Sequence, residues 1–591
     1  MGFVGRLLTG YNQLQLSSTM HMPKSNSYGL SEIVRRIAPF LRGEWRLVGS
    51  IVVFGIVTSL LSLAIPVAVQ ALVNTVAFGN LTQQLFVLSG ILFLVLSFSA
   101  LLKLAQIVAA EHLQRRLFVR LLLDIAERIP KFFAHGIRGI FGAEVVNPFL
   151  EVAILQKSMA YLFVSGVGLL LQIFFGLLLL AFYHPLLLAF SLILGLLVLA
   201  IFFIMGPSGI PTADAESSAK YKALEWLEDL AHSPTVFRSA EGMKYAVETA
   251  DNTALEWLNT RRSHFKVLLS QNIATYTTHA IASAVLLVLG GYLVISGQLT
   301  LGQLVAAELV VNAALTGLIK FGSHLESLYD LSGAAGKLNK LRDIQLENLG
   351  GDKPSWKVGE PAALSIRDVS LRLERSTRPI LDRLSLDVKP GDRIAILGEN
   401  GVGKSLLTDA IFGFLSPDEG VIEIDGHNIK DLCLSSLRSR VSVVTTPRFF
   451  SGTLEDNFRI GKDVSRIELR GLLDKLGLSQ KLSGLENGLQ TYVSPSHRIF
   501  SYGELLRMSI AQAIITKPGL IIFDQTFDGV DERSLEAVLE VVKSRAPASS
   551  IIMLTHNPVI ADHFPTKYIL HMGKLSRDKG SSRSAGTKEL V

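Results

Sequence analysis

The sequence predicts a membrane all-α domain of six transmembrane helices followed by an α/β P-loop NTPase domain. Three observations carry that prediction. Hydrophobic residues make up 49% of the 591-residue chain and charged residues only 18%, with a mean hydropathy of +0.39, which is too apolar for an ordinary soluble protein. Asp, Glu, Lys and Arg are absent from three long blocks, Leu47–Leu102, Ser158–Ala213 and Val267–Ala307. The last third of the chain holds a glycine-rich stretch, "IAILGENGVGKS", after a strand-like run.

A membrane span needs about 20 apolar residues, so each block is long enough for two helices and a short turn. The turns are expected at "VAFGNLTQQ", at "FYHPL", where Tyr183, His184 and Pro185 interrupt the apolar run, and at "VISGQLTLGQL". None of them carries Lys or Arg. Basic residues collect instead in the two connectors, such as Arg115, Arg116 and Arg120 in the first and Arg261, Arg262 and Lys266 in the second. By the positive-inside rule both connectors and both termini are cytoplasmic. The net charge of +6 therefore reads as membrane topology and not as a nucleic-acid surface. In the sixth span Glu308 stands one turn before Asn312. Intramembrane acids are costly and face a cavity or a partner helix; a transport role and helix-to-helix bonding are both open.

The connectors "EHLQRRLFVRLLLDIAERI" and "YKALEWLEDLAHS" have apolar residues at helical spacing. They read as membrane helices that continue into the cytoplasm and turn back near Phe132–Phe141 and near Asp229–Ala240. The organisation read from composition is an N-terminal tail over 1–30, a transmembrane domain over 31–340, a linker over 341–361, a nucleotide-binding domain over 362–575 and a disordered polar tail over 576–591. The acid-free first 30 residues have some likeness to a transit peptide, but a short cytoplasmic tail is the preferred reading. The single cysteine, Cys433, excludes an intrachain disulfide framework.

The stretch Gly398, Glu399, Asn400, Gly401, Val402, Gly403, Lys404, Ser405, Leu406 fits the phosphate-binding loop G-x-x-x-x-G-K-[ST] and the residue after it. Its glycines let backbone N–H groups wrap phosphates, Lys404 reaches the β- and γ-phosphates, and Ser405 holds Mg²⁺. "LIIFDQTFDGVD" places Asp524 at the end of an apolar strand, where a P-loop enzyme needs a magnesium-binding carboxylate.

The order of P-loop, "FSYGELLRMSIAQAI", "LIIFDQ", "DGVD" and "LTHN", preceded by six spans, resembles an ATP-binding cassette (ABC) half-transporter of the exporter type. The resemblance covers roughly Leu30 to Gly573. It implies that two chains pair, as a homodimer or heterodimer, with ATP held between the P-loop of one and the signature sequence of the other. "FSYGE" stands in the signature position, with Ser501 and Gly503 kept and Tyr502 replacing a glycine. The resemblance makes His556 the switch histidine that contacts the γ-phosphate and Asp531 the D-loop aspartate.

Three positions depart from the family pattern. Gln525 stands where the family has the glutamate that polarises the attacking water; an amide cannot take a proton at neutral pH but can orient a water. The Q-loop glutamine, a magnesium contact, falls on Thr446 or on Thr445 by the alternative alignment. The aromatic residue that stacks on adenine falls on Leu373, which offers only apolar contact. Slow hydrolysis, a heterodimer with a better-equipped partner and a Glu→Gln trap at Gln525 all fit; native divergence is preferred. The main expectation is ATP-dependent export across a bacterial inner membrane, with ATP and Mg²⁺ as cofactors. The alternative is a nucleotide-binding regulatory subunit with little turnover. A local likeness to half-transporters of type I secretion-like systems adds a periplasmic adaptor and an outer-membrane channel as candidate partners.

Overall fold

A computed structural model describes residues 30–77, 82–132, 146–347, 350–372, 378–445, 447, 449–462, 464–494, 499–528, 532–545 and 549–578. The chain divides into two compact units. One comprises 1–131 with 139–344, and the other 132–138 with 345–591.

The first unit is helical: α1 (Leu30–Leu41), α2 (Trp45–Leu61), α3 (Ala64–Ala77), α4 (Thr82–Arg128), α5 (Glu151–Tyr161), α6 (Val167–Tyr183), α7 (Pro185–Ala200), α8 (Gly209–His232), α9 (Ala240–Ile295) and α10 (Leu301–Arg342). Among the described residues five helical stretches are long and apolar enough to cross a membrane. The sixth expected span is the start of α10. An apolar stretch, Leu301–Ala314, lies there among the described residues.

The predicted turns have local causes. His184 is extended (φ −161°, ψ 145°), its ring accepts from the Leu186 N–H, and Pro185 opens α7. A residue before proline is driven out of the helical region, and proline suits the first helical position. Thr300 and Gln303 form a reciprocal capping box that starts α10. The turn expected at "VAFGNLTQQ" lies largely outside the described residues, as does most of the connector turn near Phe132–Phe141. The second connector turn occupies 233–239, between α8 and α9, with Ser239 capping α9.

At 1.5 Å per residue, α4 (47 residues) and α9 (56 residues) are about 70 and 85 Å long. That far exceeds a hydrocarbon core of about 30 Å, so both run well beyond any bilayer. Polar side chains stitch the helices. Gln106 of α4, nearly fully buried, donates to the Ile51 carbonyl at 3.1 Å, and Tyr183 donates to Gln70 at 2.6 Å. Asn312 donates to Glu308 Oε1 at 3.4 Å, while Glu308 Oε2 is buried without a partner.

The second unit is α/β. Strands β1 (Leu364–Leu371), β2 (Leu381–Val388), β3 (Arg393–Leu397), β4 (Glu419–Ile424), β5 (His427–Asn428), β6 (Val441–Val444), β7 (Gly452–Thr453), β8 (Tyr492–Val493), β9 (Leu520–Asp524), β10 (Ser550–Thr555), β11 (Thr566–His571) and β12 (Lys574–Arg577) form three sheets. An antiparallel sheet runs β2-β1-β4-β5. The main sheet runs β12-β11-β3-β10-β9-β6, parallel except for the β12 edge. Every residue of β10 is buried and so are Leu520–Phe523 of β9, as expected for central parallel strands covered on both faces.

Two segments at the edges of the nucleotide unit make specific contacts with it. In the linker, Trp356 donates to the Ser436 carbonyl at 3.1 Å, and Arg440 holds the carbonyls of Lys357 and Glu360. In the tail, Ser576 and Arg577 complete β12 and the Asp578 N–H donates to Lys567 O.

Candidate nucleotide site

In an open parallel sheet, ligands bind beyond the carboxyl ends of the strands. Here β3, β10 and β9 are neighbours. Leu397 lies opposite Thr555, and Leu554 opposite Asp524. The P-loop, Asp524 and His556 are therefore delivered to one edge by register alone.

The P-loop leaves β3 at Gly398, whose N–H donates to the Thr555 carbonyl at 3.1 Å. A Cβ on Gly398 would lie 2.9 Å from the Leu570 carbonyl oxygen, so only glycine fits this approach. Gly403 has φ +107°, and a Cβ there would lie 2.9 Å from Leu381; that left-handed geometry turns the loop into α11 (Lys404–Ile411). Loop residues Glu399, Asn400, Gly401 and Val402 lie between these glycines, and Ser405 and Leu406 follow in the first turn of α11. Lys404 is almost fully buried, and its Nζ donates to the carbonyls of Gly398 and Glu399 at 2.6 and 2.7 Å. Burial lowers its pKa, against the opposing charges of Asp528 and Asp524.

Asp524 ends β9. Burial pushes its carboxyl above the usual aspartate range and the Asp409 charge adds to this; the Ser405 and Thr408 hydroxyls and Lys404 oppose it. Its Oδ1 is buried without a hydrogen-bond partner. That unsatisfied oxygen beside a serine hydroxyl fits Mg²⁺, which binds through one or two protein groups plus substrate phosphates.

Gln525 follows in a left-handed conformation (φ +53°), its N–H tied to the Leu554 carbonyl at 2.8 Å. Non-glycine residues rarely take this geometry, and it costs of order 1–3 kcal/mol. Thr526 hydrogen-bonds Val444 O at 2.7 Å, anchoring the segment to β6.

His556 lies just past β10. Its Nδ1 is 2.7 Å from Asp528 Oδ2, and Asp528 also accepts from the Thr555 hydroxyl. Asp528 is a residue the sequence reading missed. The signal was a second carboxylate four residues after Asp524, but its link to His556 becomes visible only with the strands aligned.

The signature residues sit elsewhere. Helices α12 (Leu434–Arg440), α13 (Leu454–Arg459), α14 (Arg466–Lys475), α15 (Ser479–Ser483) and α16 (Tyr502–Ile515) follow α11 in the chain. Ser501 caps α16 through Glu504, whose carboxylate accepts from the Ser501 N–H at 2.7 Å. The Tyr502 side chain is half-exposed, and a Cβ at Gly503 would meet nothing within 4 Å, so this face is open. Leu373, Thr446 and Asp531 lie outside the described residues; Thr445, the alternative Q-loop position, directly follows β6.

A P-loop NTPase domain fused to a helical domain with membrane-length apolar helices is a nucleotide-driven membrane protein by class. Residues 381–528 match the ABC transporter family. The chain is 26% identical over 477 residues to the glutathione/L-cysteine transport system ATP-binding/permease protein CydC of Escherichia coli K12, covering 78% of this chain and 76% of that one. It is 27% identical to the ABC transporter ATP-binding protein YwjA of Bacillus subtilis, over 50% of this chain and 52% of that one. It is 25% identical to the α-hemolysin translocation ATP-binding protein HlyB of Escherichia coli, over 53% of this chain and 44% of that one. The chain thus spans about half the length of the latter two. The fold matches a bacterial Atm1-family ABC exporter solved with ATP bound, with TM-score 0.79 and 20% identity over 93% of this chain and 95% of that one. Residues 381–528 thus form an ABC transporter ATPase domain, and the polypeptide joins it to a helical domain with the fold of an ABC exporter.

Proposed function

We propose that this chain is one half of a dimeric transporter that hydrolyses MgATP to export a substrate across a bacterial inner membrane, with both termini cytoplasmic. The observation that carries the reading is the convergence of Lys404, Asp524 and His556 at the ends of three adjacent parallel strands. Lys404 leaves its two loop carbonyls for the β- and γ-phosphates. Ser405 and Asp524 hold Mg²⁺, which neutralises the charge that builds on the transferring phosphoryl group. Ser501 and Gly503 complete the partner's site, with α16 directing its N-terminus at the phosphates. By the sequence resemblance alone, Leu373 is assigned to the adenine, Thr446 to the Q-loop position at Mg²⁺ and Asp531 to the D-loop. A periplasmic adaptor and an outer-membrane channel remain part of the proposal, resting on the sequence resemblance to type I secretion-like half-transporters.

Gln525 supports a second reading, a subunit that binds ATP and regulates a better-equipped partner. MgATP turnover by the full chain in lipid nanodiscs separates the two. Turnover that disappears in Lys404→Ala is expected for the motor. ATP binding without turnover in either the unaltered chain or Gln525→Glu is the outcome expected for the regulator; turnover in Gln525→Glu alone marks an otherwise intact site that waits for a partner or is trapped by that residue.

A further inference from the structure

The catalytic edge lacks a carboxylate at Gln525, yet a carboxylate stands four residues past Asp524. Asp528 has a side chain only 10% exposed. It accepts from the Thr555 hydroxyl and lies 2.7 Å from His556 Nδ1. Its charge also reaches Lys404. His556 itself is 45% exposed, and among the described residues its Nε2 bonds nothing. A carboxylate on Nδ1 holds the proton there, which leaves the Nε2 lone pair outward as an acceptor.

We propose that Asp528 is a positioning residue that orients His556 so that its Nε2 takes the proton of the attacking water during ATP hydrolysis. The proposal rests on the motor reading above. Gln525, with its backbone tied to Leu554 O, can only orient that water. In the step, the water oxygen forms a bond to the γ-phosphorus and its proton passes to His556 Nε2. The bond from the γ-phosphorus to the β–γ bridging oxygen breaks, and its electron pair leaves with ADP. The resulting imidazolium is stabilised by Asp528 and now donates from Nε2 to the released phosphate. The other charged groups at this edge are Lys404 and Asp524, on α11 and β9.

The test uses the full chain in nanodiscs, with ATP affinity measured beside turnover. Asp528→Asn is expected to lower kcat by about 10²-fold, the lower range for a general base, with ATP affinity and melting unchanged. Asp528→Glu retains part of the rate. Adding Gln525→Glu to Asp528→Asn is expected to restore turnover by returning a carboxylate to the water. Turnover of Asp528→Asn within about twofold of the unaltered chain overturns the proposal and leaves the motor reading standing. Failure of the double variant to recover, while it still binds ATP, overturns it too. No Lys404-dependent turnover in the unaltered chain overturns both.

Discussion

Arg440 offers the most demanding check on the packing of the nucleotide unit. Its side chain is 7% exposed. It donates to Asp425 Oδ2 at 2.8 Å, to Glu360 O at 2.8 Å and to Lys357 O at 3.1 Å, and its guanidinium lies 5.5 Å from the centre of the Trp356 ring. Arg440→Met keeps apolar volume but strands a carboxylate and two carbonyls. Breaking a buried pair from one side costs about 3–5 kcal/mol. Asp425 keeps the Ala363 N–H at 2.7 Å, and the 357–360 segment can turn its carbonyls to water, so about 4 kcal/mol is expected. For a domain of this size that is roughly a 10 °C drop in melting temperature. The assay is a thermal melt of the full chain with and without saturating MgATP, following the nucleotide-sensitive transition. Arg440→Lys keeps the charge but not the fork, so it should fall between. The double variant Asp425→Asn/Arg440→Met should recover part of the loss, because the stranded charge is gone. A shift under about 3 °C for Arg440→Met, or no recovery in the double variant, would refute the assignment of a buried, stability-bearing pair.

Asp524→Asn should act in opposite directions on stability and binding. The folded-state pKa of Asp524 is raised, chiefly by burial. Its contribution to stability is therefore fully present below the unfolded aspartate pKa and is lost as pH rises through the folded one. At neutral pH without nucleotide the Asn variant should melt higher than the unaltered chain, and the difference should vanish in acid. Mg²⁺-dependent ATP affinity should fall in the same variant, read by titration with and without the metal. Ser501→Ala removes a helix cap and should cost about 1 kcal/mol, visible as a small melting shift even without nucleotide. If it lowers turnover while that shift stays small, the hydroxyl serves the partner's phosphates as well as its own helix. Glu151 is 5% exposed and accepts from Lys337 at 3.1 Å and from Tyr221 at 2.8 Å. Glu151→Gln strands the Lys337 charge and should destabilise the helical unit by about 3 kcal/mol or more, measured as lower detergent resistance.

The legible parts of this protein are those written in consecutive residues. A charge-free block long enough for two spans needs no tertiary information, and neither does the P-loop, whose glycines are required by contacts within 3 Å of the Leu570 carbonyl and Leu381. The helix caps at His184 and Thr300 are equally local. Less legible was the linker. Its Gly, Pro and charge read as a linker and do not show that Trp356 docks on Ser436 or that Arg440 gathers carbonyls from 80 residues away in the chain. Asp528 was hidden for the same reason. Nothing within its own segment marks it as more than a turn aspartate. Its meaning comes from β9 and β10 being parallel neighbours in step, Leu554 beside Asp524, so that the residues just past each strand end meet. That register sets Asp528 against Thr555 and His556 across 27 and 28 positions of sequence. A reading that compares the chain with a family position by position finds the missing carboxylate at 525. Only strand geometry shows where another carboxylate has been placed against the same histidine.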